Sequence, residues 1–339
     1  MTAWVLHMDL DQFIAAVEML RTPELVGRPI VVGGDGDPTK RGVVSTANYE
    51  ARAFGITSAM PLRTAYKRCP DAVFLPVDAE AYRAASKTVM DTLRTFPAVV
   101  QEAGWDEAFL AVETDDPEAL AWRIQRTVHE RTGLWCSIGI GDNKLRAKIA
   151  SGFAKPKGVY RLTSERWLDV MGHRSTRDLW GIGKKTAAKL SELGIHTVRA
   201  LADADEDALA RRFGPNTGPW LRELGTGEVA SRVTDEPHVA RGHGRERTYQ
   251  KDITDPDEVR ERIREITSEL MDDVRGDGRA VARVVVKVRF APFFTSSHGA
   301  ALAEPSTDAD DVEVAALDAL ARFELDRPVR LLGVRAVFA

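Results

Sequence analysis

The sequence has little cysteine, no long apolar run and no excess of positive charge. Cys69 and Cys136 are the only cysteines in 339 residues, and their spacing is not that of a metal site. They read as two reduced thiols in a cytosolic protein. No apolar stretch reaches the length of a membrane span, and the N-terminus lacks the basic region and apolar core of a signal peptide, so a cytoplasmic protein that stays off the membrane is expected. The net charge of −4 argues against a chain coated in positive charge, but local basic patches matter more than the total and leave nucleic acid open as a partner. Internal repeats and low-complexity tracts are also missing. The length allows two or more domains and a sizeable core.

What is present is a mixture of strands and helices. TAWVLHMDLD reads as a strand and QFIAAVEMLR as a helix with apolar residues at helical spacing. RPIVVGGDGD is a short buried strand ending in a glycine-rich turn, and RGVVSTANYEARAFG is expected to run from a strand into a helix capped near Gly55. CPDAVFLPVD is another strand, EAYRAASKTVMDTLRTF an amphipathic helix, and VVQEAGWDEAFLAVE two strands joined around Gly104. PEALAWRIQRTVHERTG, LWCSIGIG and NKLRAKIASGFAK continue as helix, strand and helix. One sheet with helices packed on it is expected. From about 166 to 230 only short helices follow, and EVASRVTDEPHVARGHG looks like a linker. The last hundred residues have the order β-α-β-β-α-β of a self-contained α+β domain.

The strand ending in Asp9 and Asp11, and the junction carrying Asp106 and Glu107, are the first chemical signal. If the two strands are neighbours, Asp9 and the Asp106-Glu107 pair converge at one sheet edge. Clustered carboxylates repel one another, and a divalent cation relieves the repulsion. Mg²⁺ favours a few carboxylates together with substrate phosphates, and two such ions can hold the attacking and leaving oxygens of a phosphoryl transfer. An isolated DLD or DE would be an ordinary surface charge; the apolar frames and two cations, Arg52 and Lys155, shift the balance. On a helix Tyr49 and Arg52 share a face, where with Thr46 they could grip phosphate oxygens. Lys155 stands at the last turn before Pro156. A third signal is GIGKKTAAKLSELGIHTV, expected to form a hairpin of two short helices. Gly181 and Gly183 would let a nucleic-acid backbone approach, and Lys184 and Lys185 would add charge. A tight turn between packed helices would explain neither lysine. The fourth is ARVVVKVRF, which puts Arg283, Lys287 and Arg289 on one strand face and valines on the other.

With these residues in place, the chain resembles the Y-family translesion DNA polymerases, most closely the DNA polymerase IV (DinB) group. HMDLDQFIAAVE and WDEAFL match the two catalytic motifs, STANYEARAFGI the finger motif, SIGIGDNKLRAKIASGFAKPKG the long palm motif, LWGIGKKTAAKL the thumb hairpin, and GRERTY with RLLGVR the little-finger strands. Several such motifs in order are highly specific. The resemblance implies an α+β multidomain right hand: palm from 1–10 and 77–165, fingers 11–76, a thumb with helix-hairpin-helix over 166–230, a linker 231–241 and a little finger 242–339. It implies template-directed addition of nucleoside triphosphates to a primer 3′-end by a monomer, on primer-template DNA. Two Mg²⁺ ions, with Mn²⁺ as an alternative occupant, would be held by Asp9, Asp106, Glu107 and the Leu10 carbonyl. Thr46, Tyr49, Arg52 and Lys155 would hold the triphosphate, helped by backbone N–H groups around Phe13. Asp11 matches the motif without being a metal ligand and is expected to support the site. Val44, Ser45 and Ala59 fall where the family lines the roof over the new base pair, a roomy pocket suited to damaged templates. Arg245 and Arg247 join Arg283, Lys287 and Arg289 as expected little-finger contacts to DNA.

Two departures stand out. Ile14 occupies a position that usually carries an aromatic ring blocking the ribose 2′-hydroxyl, so weak sugar selection and use of rNTP beside dNTP are expected. The sequence also stops at VRAVFA, without the short glutamine-and-aromatic peptide by which many relatives dock on the sliding clamp. Clamp binding by that route is therefore left open. Two rival readings compete with this one. VVGGDGDP resembles in part the GGDEF signature of nucleotide cyclases, but it lacks the phenylalanine, and a cyclase needs neither the hairpin nor the basic strand. A catalytically inactive, polymerase-like DNA-binding scaffold would be favoured by loss of Asp9, Asp106 or Glu107, and all three are present.

Overall fold

The computed structural model describes residues 1–237 and 239–339. Its strands are β1 (Thr2–Leu10), β2 (Ile30–Val32), β3 (Thr46–Ala47), β4 (Val73–Leu75), β5 (Val99–Glu102), β6 (Glu107–Thr114), β7 (Cys136–Gly141), β8 (Val159–Leu162), β9 (Gly242–Ile253), β10 (Val281–Phe290), β11 (Phe294–Ser306) and β12 (Val329–Phe338). They form three sheets, in the orders β5-β6-β1-β7-β8, β3-β2-β4 and β11-β10-β12-β9. The chain divides into two compact units, one of Met1–Asp37 with Val43–Glu236, the other of Pro38–Gly42 with Pro237–Ala339.

In the first unit β1 lies at the centre of the five-stranded sheet, antiparallel to β6 and to β7. Its residues Leu6, Met8 and Leu10 are buried, as are Leu110 of β6 and Ile138 and Ile140 of β7. Helices Ala79–Leu93 and Pro117–Thr132 share that core. Each begins at an aspartate, Asp78 or Asp116, whose side chain accepts a free N–H of the first turn. Helix Lys144–Ala154, started by Asn143 in the same way, comes unusually close to β7. A Cβ added at Gly139 would lie 2.0 Å from the Ala147 carbonyl oxygen and 2.2 Å from the Ser151 nitrogen. Only glycine permits this contact, and it lets the helix present Lys148, Ser151 and Lys155 toward β1.

Two expected elements of this unit are present in shortened form. The stretch RGVVSTANYEARAFG forms only the two residues of β3 and one helical turn, Tyr49–Arg52. Asn48 starts that turn, but its side chain also accepts the Ile30 N–H, 2.8 Å away, tying the segment to the small sheet. The segment folds against β2 and buries Val44, Ala47 and Ala51 in a core of its own with Ile56 and Leu62. The helical hairpin near residue 180 is also lopsided. Its first arm is a 3₁₀ turn, Thr176–Asp178, and its second is the helix Lys184–Ser191.

The second unit has the expected β-α-β-β-α-β order. Helices Pro256–Asp277 and Ala309–Leu320 cover one face of the four-stranded sheet, where Val284, Val286 and Val288 are buried. The alternating burial along β10 leaves Arg283, Lys287 and Arg289 on the other face.

Candidate active site

Asp9 is the next-to-last residue of β1 and pairs across the sheet with Glu107, the first residue of β6. The Leu10 N–H donates to the Asp106 carbonyl at 2.8 Å, which pins the β5–β6 junction to the end of β1. Carboxylate oxygens of Asp9 and Glu107 and a ring nitrogen of His7 all lie within 4.8 Å of one another. Lys155 donates to Asp9 Oδ1 and Lys148 to Glu107 Oε2. His7 is fully buried, its Nε2 3.4 Å from Glu107 Oε2 and its Nδ1 2.8 Å from Ser151 Oγ.

These surroundings drive the two neighbouring acids in opposite directions. The His7 contact first, and then the Lys148 ammonium, outweigh burial and hold the Glu107 carboxyl down to about 2. Asp106 is half-buried, and burial together with the charges of Asp9 and Glu107 raises its pKa. Burial lowers that of His7 despite the acids beside it. The result is a group of three carboxylates with two ammonium groups seated on it. Such a donor set, hard oxygens already attracting cations, fits divalent metal.

Asp11 has partners of its own and is 3 % exposed. It accepts from the Tyr49 hydroxyl at 3.1 Å, the Ser137 hydroxyl at 2.9 Å and the Lys157 N–H at 2.8 Å. One buried carboxylate thus ties β1 to the Tyr49–Arg52 turn and to the turn after Lys155. Tyr49 is further fixed by its N–H to Gln12 Oε1 at 2.7 Å, and burial first, then Asp11, raises its phenol pKa, so it remains a donor. The Arg52 guanidinium lies over the Tyr49 ring, 5.3 Å from its centroid, and donates to the Ala47 carbonyl. Thr46 is in β3. Helix Phe13–Arg21 starts after Gln12 without a side-chain cap, so the first-turn N–H groups lack that partner. Phe13 is buried, whereas Ile14 is half-exposed beside it.

The expected roof divides. Val44 is 1 % exposed inside its own core; Ser45 is half-buried, and Ala59 is exposed at φ +66°. In the hairpin, Gly181 has φ +97° and its Cβ position lies 2.9 Å from the Trp220 ring, so it is needed for the turn. Gly183 opens the helix Lys184–Ser191 and faces open space, with Lys184 and Lys185 exposed. In the second unit Arg245 and Arg247 do not join Arg283, Lys287 and Arg289. The alternation of β9 turns them to the helix-covered side at the sheet edge, where they pair with Asp273, Glu269 and Glu265 of helix Pro256–Asp277. Lys287 pairs with Glu246, and Arg289 donates to Thr295 at 2.8 Å.

The profile of the impB/mucB/samB family matches residues 8–152, its C-terminal domain residues 240–337, and a SAM-like helix-hairpin-helix tandem residues 178–217. The chain is 48% identical to DNA polymerase IV 2 of Mycobacterium tuberculosis, covering 99% of this chain and 98% of that one. It is 36% identical to DNA polymerase IV of Methanoculleus marisnigri, over 98% and 93%. Among solved structures, the Y-family DNA polymerase chimera Dbh-Dpo4(243-245)-Dbh matches with TM-score 0.88 at 26% identity, covering 98% of both chains. An insertion ternary complex of Dbh DNA polymerase matches with TM-score 0.67 at 26% identity, over 99% and 98%. The chain belongs to the DNA polymerase IV group of the Y-family polymerases. It is a DNA-directed DNA polymerase with the right-hand architecture of palm, fingers, thumb and little finger.

The acids and the cations Arg52 and Lys155 stand out in the polymerase's sequence, whereas His7, Ser137, Lys148 and Ser151 do not. A signal for some of them exists. Lys144, Lys148, Ser151 and Lys155 recur at i, i+4, i+7 and i+11, one face of the helix that ends at Ala154. His7 lies two residues before Asp9, on the same face of β1 by strand alternation.

Proposed function

We propose that this polymerase performs template-directed translesion synthesis by two-metal nucleotidyl transfer, with weak exclusion of ribonucleotides. The observation that carries the reading is the Asp9, Asp106 and Glu107 group with Lys155 and Lys148 seated on it. Asp9, Asp106, Glu107 and the Leu10 carbonyl would hold the metal. Bound there, a pair of divalent cations would favour the ionised primer 3′-hydroxyl and offset charge on the leaving phosphate. The protein does the rest by positioning. Lys155, released from Asp9, would meet the triphosphate together with Arg52, Thr46 and the Tyr49 hydroxyl. Asp11 keeps Tyr49 and the turn after Lys155 in register through the hydrogen bonds described above. Exposed Lys184 and Lys185 beside Gly183 would track the backbone of the duplex without reading bases, as would Arg283, Lys287 and Arg289.

Ile14, half-exposed beside Phe13, would meet the sugar of the incoming nucleotide, and a branched aliphatic wall is smaller than a ring. Small Ser45 and Ala59 over the base pair would tolerate lesions and reject mispairs poorly. Primer extension with Mg²⁺ tests the core of this reading. Asp106→Asn and Glu107→Gln should each lose about 10²- to 10³-fold in rate, since metal stabilisation of a transition state is worth several kcal/mol; full-rate synthesis by either would overturn it. The sugar reading is tested by kcat/KM for rNTP against dNTP. Ile14→Phe should raise discrimination about ten-fold or more, and equal discrimination by the two proteins removes Ile14 from the filter.

A further inference from the structure

The turn between β10 and β11 reads Phe290-Ala291-Pro292-Phe293-Phe294, and no part of the proposed chemistry uses it. Buried Phe290 anchors it, while Phe293 and Phe294 are 67% and 54% exposed. Two large apolar rings side by side on a hairpin tip are unusual on a soluble surface. They are not bare, however. The Arg327 guanidinium lies 4.8 Å from the Phe290 centroid and 4.7 Å from that of Phe294, and Arg330 lies 4.8 Å from that of Phe293. Arg289 reaches the same turn through Thr295. The cations crowd one another. Burial first, and then the positive charges of Arg41 and Arg289, lower the pKa of Arg330, with Asp252 opposing. The nearest acid to Arg327 is Asp326, an exposed neighbour in sequence at 3.5 Å.

Exposed π-faces held by guanidinium groups, within a surplus of positive charge, form the pattern that binds unpaired nucleotides. Bases stack on the rings, and the arginines take the phosphates. An apolar protein partner would gain nothing from two arginines laid against the rings, and duplex DNA has no free base faces to offer. We propose that the β10–β11 hairpin tip, through Phe293, Phe294, Arg327 and Arg330, is a stacking site for single-stranded nucleic acid. The choice of ligand rests on the chain being a polymerase, but the site itself does not depend on the metal chemistry.

The test is fluorescence anisotropy of a labelled oligo-dT bound to the full chain without primer, nucleotide or metal, so that it is independent of catalysis. The paired change Phe293→Ala with Phe294→Ala should weaken binding about ten-fold or more. The paired change to leucine, which keeps apolar area but removes the π-faces, should weaken it equally. Arg330→Ala should flatten the slope of log affinity against log salt by about 0.7, the value for one phosphate neutralised on a single strand. The rings are exposed, so melting temperatures should stay near that of the wild type and certify the fold. Wild-type affinity in the leucine pair would show a merely apolar contact and overturn the proposal. So would wild-type affinity in the alanine pair, which would leave the rings as a surface for protein.

Discussion

In the palm, Lys148 and Lys155 sit on Glu107 and Asp9; in the little finger, Arg245 and Arg247 sit on Asp273, Glu269 and Glu265. Both are sets of cations on carboxylates, yet they differ in setting. The palm lysines are 18% and 28% exposed and face acids that are themselves partly sheltered. The little-finger arginines are 40% and 42% exposed and face acids exposed as much. Sheltered charges interact more strongly and are costly to leave unpaired, so the palm acids favour a bound cation, as a site that trades lysine for metal would need. Exposed pairs are screened by solvent and salt, and contribute little beyond fastening a strand to a helix. The same pairing therefore carries more energy in one region than in the other, where it is a structural clasp.

The largest break in this comparison should come from the glycine that brings the palm lysines into place. A side chain at Gly139 meets backbone on the helix Lys144–Ala154, with no flexible atom to yield. Gly139→Ala should cost about 3 kcal/mol, at the upper end for overpacking a core. It should also pull Lys148 and Ser151 away from Glu107 and His7. Denaturant unfolding measures the first effect. Metal-free Gly139→Ala that melts with the wild type would show that the close approach is dispensable.

The two adjacent palm acids sharpen the contrast, because their pKa shifts have opposite signs. Glu107 falls from 4.5 to about 2 on folding. Its contribution to stability is complete above pH 4.5 and is lost as the pH drops from 4.5 towards 2. Asp106 is raised, so its ionised form opposes folding, and protonation on acidification relieves that opposition. In metal-free protein at neutral pH, Glu107→Gln should therefore destabilise, by about 2–3 kcal/mol at most, while Asp106→Asn should stabilise. Thermal melts across pH 2–7 in chelator would check both, and equal shifts in the same direction would remove the distinction.

The sequence made one of these settings visible and hid the other. Asp9, Asp106 and Glu107 could be found because strand periodicity places carboxylates at the ends of apolar runs, a local signal. The order of strands and helices in the little finger was legible for the same reason. His7 and Lys148 were not, because their roles depend on how a helix lies across β7, which only the two glycines of SIGIG hint at. Val44 looked like a small residue on a pocket roof, but the short sheet turns it into a core. Arg245 and Arg247 looked like the other outward cations, since GRERTY alternates just as ARVVVKVRF does. Alternation gives two faces but not which one a helix covers, and the acids that claim these arginines lie 18 to 28 residues away in sequence.

The smallest effects should fall on that misread strand. Arg245→Ala and Arg247→Ala remove exposed pairs and should each cost about 1 kcal/mol or less of stability. Because both arginines are turned to the helix side and already matched by acids, their removal should leave the salt dependence of duplex binding almost untouched. Arg283→Ala and Lys287→Ala, on the open face of β10, should do the reverse: little change in melting, and a slope of log affinity on log salt shallower by about 0.9 for each phosphate no longer neutralised. Lys287 pairs with Glu246 in the free protein, so its slope should fall by less than that of Arg283. Should Arg245→Ala flatten the slope as much as Arg283→Ala, the helix-side pairs must open on binding, and the little finger would hold exchangeable cations after all.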